Sequence, residues 1–161
     1  MKRVVISLGS NMSDREKNLS DCTALLQKQA GELIQCSQIR ETPSWGFTTR
    51  HFLNQLLVMQ TDLSPEALLD VTQSIERQMG RMEKTELDEQ GHPVYHDRVI
   101  DIDILLYDDC QIDTERLVVP HPHIAERKFV LEPLCDLFGD CIVPPFTRSF
   151  HQMLENIDTT N

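Results

Sequence analysis

The chain has 161 residues and a formal net charge of −11, which is the size of a single domain with one sizeable core. Nucleic-acid and anionic-membrane surfaces depend on Lys and Arg to neutralise phosphates, so the acidic balance argues against both and any phosphate site has to be local. Five cysteines (Cys22, Cys36, Cys110, Cys135, Cys141) form an odd set without a C-x-x-C pair, which suggests reduced thiols rather than a disulfide framework or a zinc knuckle.

The first apolar run, ending at Gly9, is too short for a signal peptide or a membrane span, and a soluble cytoplasmic protein is expected. Val4, Val5, Ile6 and Leu8, closed by Gly9-Ser10-Asn11, read as a strand entering a turn. Ser13 three residues before Glu16 predicts a capping box, and Leu19, Cys22, Leu25, Leu26 and Ala30 recur at helical spacing until Gly31. Leu33 to Ile39 is a short β-compatible stretch, Glu41 to His51 a loop, and Phe52 to Thr61 a longer strand. Ser64-Pro65 starts a second helix with Leu68, Val71, Thr72, Ile75 and Met79 on one face up to Gly80. Gln73 and Glu76, three apart and off that stripe, read as solvated surface that could face one cleft. Met82 to Asp97 lacks apolar periodicity and reads as a long loop of the kind that serves as a lid or binding loop.

Next comes Arg98-Val99-Ile100-Asp101-Ile102-Asp103-Ile104-Leu105, a strand carrying two acids. Side chains alternate along a strand, so Asp101 and Asp103 share one face. Adjacent carboxylates repel, and a divalent cation holds both ionised, so Mg²⁺ is the sharp reading; an amphipathic strand with a solvated acidic face is the plain one. Beyond it lie a β-prone stretch from Arg116 to Val119, the break Pro120-His121-Pro122-His123, a partly helical Phe129 to Leu137 interrupted by Pro133, and a last helix capped by Ser149 and Gln152. The order β-α-β-β-α-β predicts an α+β, ferredoxin-like core: an antiparallel sheet with both helices on one face, elaborated by the last third of the chain.

Arg81, Arg98, Arg116 and Arg127 fall beside the loop, the acidic strand and the Pro-His segment. Arg binds phosphate bidentately and Mg²⁺ bridges phosphate oxygens, so this constellation suits a polyphosphate and phosphoryl transfer. Each Arg taken alone reads as an ordinary surface ion pair. His121 reads as a further phosphate donor rather than a metal ligand. Trp45, Phe52 and Phe129 suit either core packing or a planar ligand. No G-x-x-x-x-G-K-[ST] loop is present, so ATP would be held by side chains and metal.

Taken together, Ser7-Leu8-Gly9-Ser10-Asn11, Glu41-Thr42-Pro43-x-Trp45-Gly46, Phe52-Leu53-Asn54, Gln73-x-x-Glu76-x-x-x-Gly80-Arg81, Arg98-x-x-Asp101-x-Asp103-Ile104-Leu105 and Pro120-His121-x-x-x-x-Arg127-x-Phe129 resemble the 6-hydroxymethyl-7,8-dihydropterin pyrophosphokinase family, in the same order. The resemblance implies a folate-pathway enzyme that moves the β,γ-diphosphate of ATP to a pterin hydroxymethyl group and releases AMP. It implies two Mg²⁺ ions on Asp101 and Asp103, with Asp103 also placed to help remove the hydroxyl proton. Arg81 and Arg98 would stabilise charge on the transferring group, with Arg116, His121 and Arg127 completing ATP and diphosphate binding. Gln73, Glu76 and Ile104 would belong to the nucleotide cleft, Phe52 and Phe129 would sandwich the pterin, and Thr42, Pro43, Trp45 and Asn54 would contact its edge.

The chain departs from the family pattern at Glu83, where many members have a second Arg, and Lys84 is expected to substitute in part. Tyr95 stands where a Trp is common, and the loop from Met82 to Asp97 is longer than in compact members, with closure over ATP expected. A monomer acting on small molecules is expected. Competing readings are a palm-type nucleotidyl transferase or cyclase, and a ferredoxin-like RNA-binding or regulatory module, the RNA reading opposed by the charge and by the lack of an RNP1-like strand.

Overall fold

A computed structural model describes residues 1–42, 51–80 and 99–160, with side chains to 157. In chain order the elements are β1 (Lys2–Ser10), α1 (Arg15–Gln29), β2 (Glu32–Cys36), β3 (Arg40–Thr42), β4 (Phe52–Thr61), α2 (Pro65–Gln78), β5 (Asp101–Tyr107), β6 (Ile112–Asp113), β7 (Val118–Val119), a 3₁₀ turn (Ile124–Glu126), α3 (Lys128–Phe138) and α4 (Phe150–Thr160). The main sheet runs β2-β4-β1-β5, with β3 also on β4 and every pairing antiparallel. This is the ferredoxin-like order anticipated from the element pattern. None of the described helices is long and apolar enough to cross a membrane, and all five cysteines are free.

The two faces of the sheet are covered by different helices. Val4, Ile6 and Leu8 of β1, Leu57 and Met59 of β4 and Ile102 and Ile104 of β5 pack with Leu19, Cys22 and Leu26 of α1 and Leu68 and Ile75 of α2. Alternate residues, Val5, Leu56, Val58, Leu105 and Leu106, pack on the opposite face with Leu131 and Leu134 of α3 and Phe150 and Met153 of α4. The C-terminal elaboration is therefore a second helical layer. A register shift between Val5 and Ile6 opposite β5 explains why Leu105 and Leu106 both face it.

Local signals explain most boundaries, with three corrections. Asp14, not Ser13, caps α1: its side chain accepts the Lys17 N–H at 3.1 Å, while Ser13 is left-handed at φ 58°. The single strand expected over Leu33 to Ile39 is divided, because β2 bulges between Leu33 and Gln35 and the Ser37 hydroxyl accepts the Leu56 N–H at 2.9 Å in place of a backbone carbonyl. Pro133 does not interrupt α3, which continues through it to Phe138. Gly31 is required by close approach: a Cβ there would stand 2.0 Å from the Gln60 carbonyl oxygen.

Candidate active site

Directly opposed residues of antiparallel strands share a face. Gly9 of β1 lies opposite Asp101 on one side and Asn54 on the other, and Asn54 lies opposite Arg40. A row Asp101–Gly9–Asn54–Arg40 thus crosses four strands. The next row is Asp103–Ser7–Leu56, and because Leu56 packs under the α3/α4 layer, both rows belong to that face. Asp103 is exposed and Asp101 half-buried, so the polar rows begin where the apolar layer stops.

At the centre of the first row the missing side chain matters. A Cβ on Gly9 would stand 3.2 Å from Asn54 Oδ1 and 3.5 Å from Phe52 Cδ1. Asn54 Nδ2 donates to Thr42 Oγ1 at 2.6 Å, and Thr42 lies opposite Phe52. Asn54, Thr42 and Phe52, singled out in the sequence, are therefore one contiguous group on the same face as the acid pair, across Gly9 of β1 from Asp101. Arg40 leaves the row to reach α3, donating to Glu132 Oε2 at 3.2 Å and Asp136 Oδ2 at 2.6 Å.

Among the described residues β5 is an outer strand of the main sheet, and two groups meet its outer edge. Glu76 Oε2 accepts the Ile102 N–H at 3.0 Å, and the His121 N–H donates to the Leu105 carbonyl at 2.9 Å. Glu76 is buried at 6% exposure, which corrects its reading as solvated surface; Gln73, one turn earlier, is exposed as expected. The Cys22 thiol is pushed up to about 12 by burial and then by the Glu76 charge, so α1 and α2 bring the two together in the core. His121 is half-buried; burial first, then Arg127 and His123, hold its imidazole below the ordinary value. The Arg127 guanidinium lies 5.8 Å from the Phe129 ring centroid, a cation–π contact at the start of α3.

Other predicted residues are placed elsewhere. Arg116, in the turn between β6 and β7, donates to Asp70 Oδ1 of α2 at 2.6 Å, and the contacts of the described residues do not join it to His121 or Arg127. The Ile104 side chain is buried in the α1/α2 core, which leaves only its backbone for a ligand. Pro43, Trp45, Arg81, Lys84, Tyr95 and Arg98, together with Glu83 and the loop from Met82 to Asp97, lie outside the described residues.

Sequence reasoning missed Arg40 and Arg15. Arg15 Nη1, from the first turn of α1, donates to both Glu41 Oε2 and the His51 carbonyl at 2.8 Å. Glu132 and Asp136, four apart on α3, were a legible sign of a cation facing that helix.

Asp101 and Asp103 share a face opposite Gly9 and Ser7, whose small size leaves room for a ligand. Among the described residues no group of three or more His, Cys, Asp and Glu side chains is arranged to hold a metal. The acid pair fits Mg²⁺, which is commonly bound through one or two carboxylates plus substrate phosphates and water rather than by an all-protein cage.

The comparisons with known proteins agree with this chemistry. A family model for 7,8-dihydro-6-hydroxymethylpterin-pyrophosphokinase (HPPK) matches residues 5–139. The 2-amino-4-hydroxy-6-hydroxymethyldihydropteridine pyrophosphokinase of Porphyromonas gingivalis is 42% identical over 139 residues, 85% of this chain and 91% of its own. The enzyme of the same name from Bacillus subtilis is 40% identical over 134 residues, 82% of this chain and 75% of its own. A crystal structure of Plasmodium falciparum HPPK-DHPS with pteroate shares the fold at a TM-score of 0.73 and 15% identity, over 96% of this chain and 42% of that one. Because the matched stretch runs from β1 through α3 and takes in the acid pair, the Gly9 row and the Arg127–Phe129 contact, the chain belongs to the 7,8-dihydro-6-hydroxymethylpterin-pyrophosphokinase family.

Proposed function

We propose that this chain transfers the β,γ-diphosphate of ATP to the hydroxymethyl group of 6-hydroxymethyl-7,8-dihydropterin, a step of folate biosynthesis, as a single-domain, cytoplasmic, monomeric enzyme. The pterin hydroxyl oxygen bonds to the β-phosphorus, the bond from that phosphorus to the α,β-bridging oxygen breaks, and AMP leaves. The observation that carries this reading is the acid pair on one face of β5, opposite Gly9 and Ser7 and one strand from the Asn54–Thr42 hydrogen bond.

Two Mg²⁺ ions, when bound, supply Lewis-acid stabilisation of the phosphate oxygens, and Asp101 and Asp103 are the residues to hold them. Asp103, exposed at the outer end of the row, takes the proton of the pterin hydroxyl. Asn54 and Thr42, with Pro43 and Trp45, present hydrogen-bonding groups to the pterin edge, and Phe52 and Phe129 present ring faces. Arg127, held by its stacking on Phe129, and His121, tied to β5 through its backbone, bind phosphate oxygens with Arg81, Arg98, Arg116 and Lys84. Gln73, Tyr95 and the Ile104 backbone belong to the nucleotide side.

An assay with ATP, Mg²⁺ and 6-hydroxymethyl-7,8-dihydropterin tests the proposal. AMP and pterin diphosphate are expected in equal amounts. Release of pyrophosphate, or no AMP from folded protein, would overturn it.

A further inference from the structure

The middle N–H of the acid pair is held from outside the sheet. Ile102 separates Asp101 from Asp103, and its N–H is accepted by Glu76 Oε2 at 3.0 Å, with both residues buried. A carboxylate in a core carries a desolvation cost that an apolar side chain of the same volume would avoid. Here it shares the buried face of α2 with Leu68, Thr72 and Ile75, and it is close enough to the Cys22 thiol to raise its pKa. What a carboxylate supplies at that place is a strong, charge-assisted acceptor.

Its target is specific in consequence. The peptide joining Asp101 to Ile102 is planar, so fixing the Ile102 N–H fixes the whole plane, including the Asp101 Cα and the Ile102 Cα, from which the next peptide leads directly to Asp103. Ordinarily a neighbouring strand would do this, but among the described residues β5 is an outer strand of the main sheet, hydrogen-bonded in the ladder to β1 alone. The Glu76 carboxylate accepts, between the two acids, the N–H that a strand on that edge would otherwise take.

We propose that Glu76 is a positioning residue for the acid pair: by holding the Ile102 N–H it sets the pitch of Asp101 and Asp103, so that both carboxylates meet the same metal–polyphosphate. This rests on the diphosphotransfer reading and replaces a direct nucleotide contact by Glu76 with an indirect role, exerted from inside the core.

Three substitutions test it. E76Q keeps a neutral acceptor of the same shape, E76D withdraws the carboxylate by one methylene, and E76L removes the acceptor while keeping the volume. Backbone amide exchange at Ile102, Mn²⁺ affinity in the presence of a non-hydrolysable ATP analogue, and separate kcat and KM values are measured on folded protein. Loss of an outer-shell partner weakens metal sites by about 10- to 100-fold. E76L and E76D are therefore expected to expose the Ile102 amide to exchange, to weaken Mn²⁺ binding by roughly tenfold or more, and to lower kcat while the pterin KM stays put; E76Q should recover most of the loss. Faster exchange at Ile102 with unchanged Mn²⁺ affinity and kcat would reduce Glu76 to a structural role and overturn the proposal. So would a raised ATP KM in both E76Q and E76L with Mn²⁺ binding intact, the mark of direct nucleotide contact. Should E76L not fold, E76D against E76Q decides, and equal Mn²⁺ affinities would refute the proposal. A wild-type protein that makes no AMP refutes the diphosphotransfer reading, whereas the exchange and Mn²⁺ measurements judge Glu76 separately.

Discussion

Replacing Gly9 by alanine asks whether the row across the sheet is the pterin side of the site. The new methyl would lie 3.2 Å from Asn54 Oδ1, tighter than ordinary contact, and 3.5 Å from Phe52 Cδ1, which is ordinary. Asn54 cannot turn away freely, because its Nδ2 already donates to Thr42 Oγ1 at 2.6 Å. The amide must therefore shift by about a third of an ångström. Only one contact is tight, so the stability cost belongs at the low end of overpacking, about 1 kcal/mol, or a fall of roughly 2 to 4 °C in Tm. For catalysis, a misplacement of about 1 Å can cost 10²-fold; scaled logarithmically, a third of that is roughly fivefold. Losing the Asn54–Thr42 hydrogen bond as well would bring the fall to about tenfold. The expected result is a 5- to 10-fold lower kcat/KM for the pterin with an unchanged KM for ATP, measured by AMP release at saturating ATP and varied pterin. A lower Tm with wild-type kcat/KM for the pterin would refute the placement, and a raised KM for ATP alone would move the nucleotide over Gly9.

Three further outcomes are expected. Asp103→Asn keeps the shape and removes a charge from an exposed position, so the protein should fold normally while turnover drops on the order of 10³-fold; an unaltered Mg²⁺ requirement would refute a metal role. Arg40→Ala releases Glu132 and Asp136, and since those pairs are about a third exposed the loss should be about 1 kcal/mol and shrink in high salt; a denaturant midpoint insensitive to both changes would refute the β3–α3 tie. His121 is held neutral by burial, with Arg127 and His123 adding to the effect, so the unfolded chain takes up a proton first as pH falls below its ordinary value. Stability should then decline from pH 7 towards the lowered folded-state value and level off below it, and His121→Gln should remove that slope; an identical slope in the variant would refute the assignment.

Features encoded within a few residues were legible in the sequence. The Ser149–Gln152 capping box has both of its bonds, at 2.9 and 3.1 Å, and β4 and the start of α2 fall where the apolar run from Phe52 to Thr61 and Ser64-Pro65 put them. Glu76 was misread because the buried stripe of α2 runs Leu68, Thr72, Glu76, and a polar residue at the end of such a stripe resembles surface. Its partner, the Ile102 N–H, is 26 residues away and belongs to a strand whose edge position no local pattern reveals. Arg40 is a similar case, with acids 92 and 96 residues distant. The acid pair was found for the opposite reason: Asp is disfavoured in strands, so its presence needed a cause beyond the strand itself.

Alternation alone does not account for how β5 serves both a polar site and an apolar layer. Carried on from Asp101 and Asp103, it would put Leu105 on the acid face and turn Leu106 towards α1 and α2. The register shift opposite Val5 and Ile6 makes Leu105 the extra residue, so Leu105 and Leu106 both meet the α3/α4 layer and Tyr107 returns to the α1/α2 core. The carbonyl of that extra residue is the one that accepts the His121 N–H. A single irregularity thus begins the second helical layer where the acids end and ties the backbone of His121 to the strand two residues beyond Asp103. His121 and Asp103, the proposed phosphate and metal residues, are held in register by the same strand, and a change that restores regular pairing there would separate them without touching either side chain.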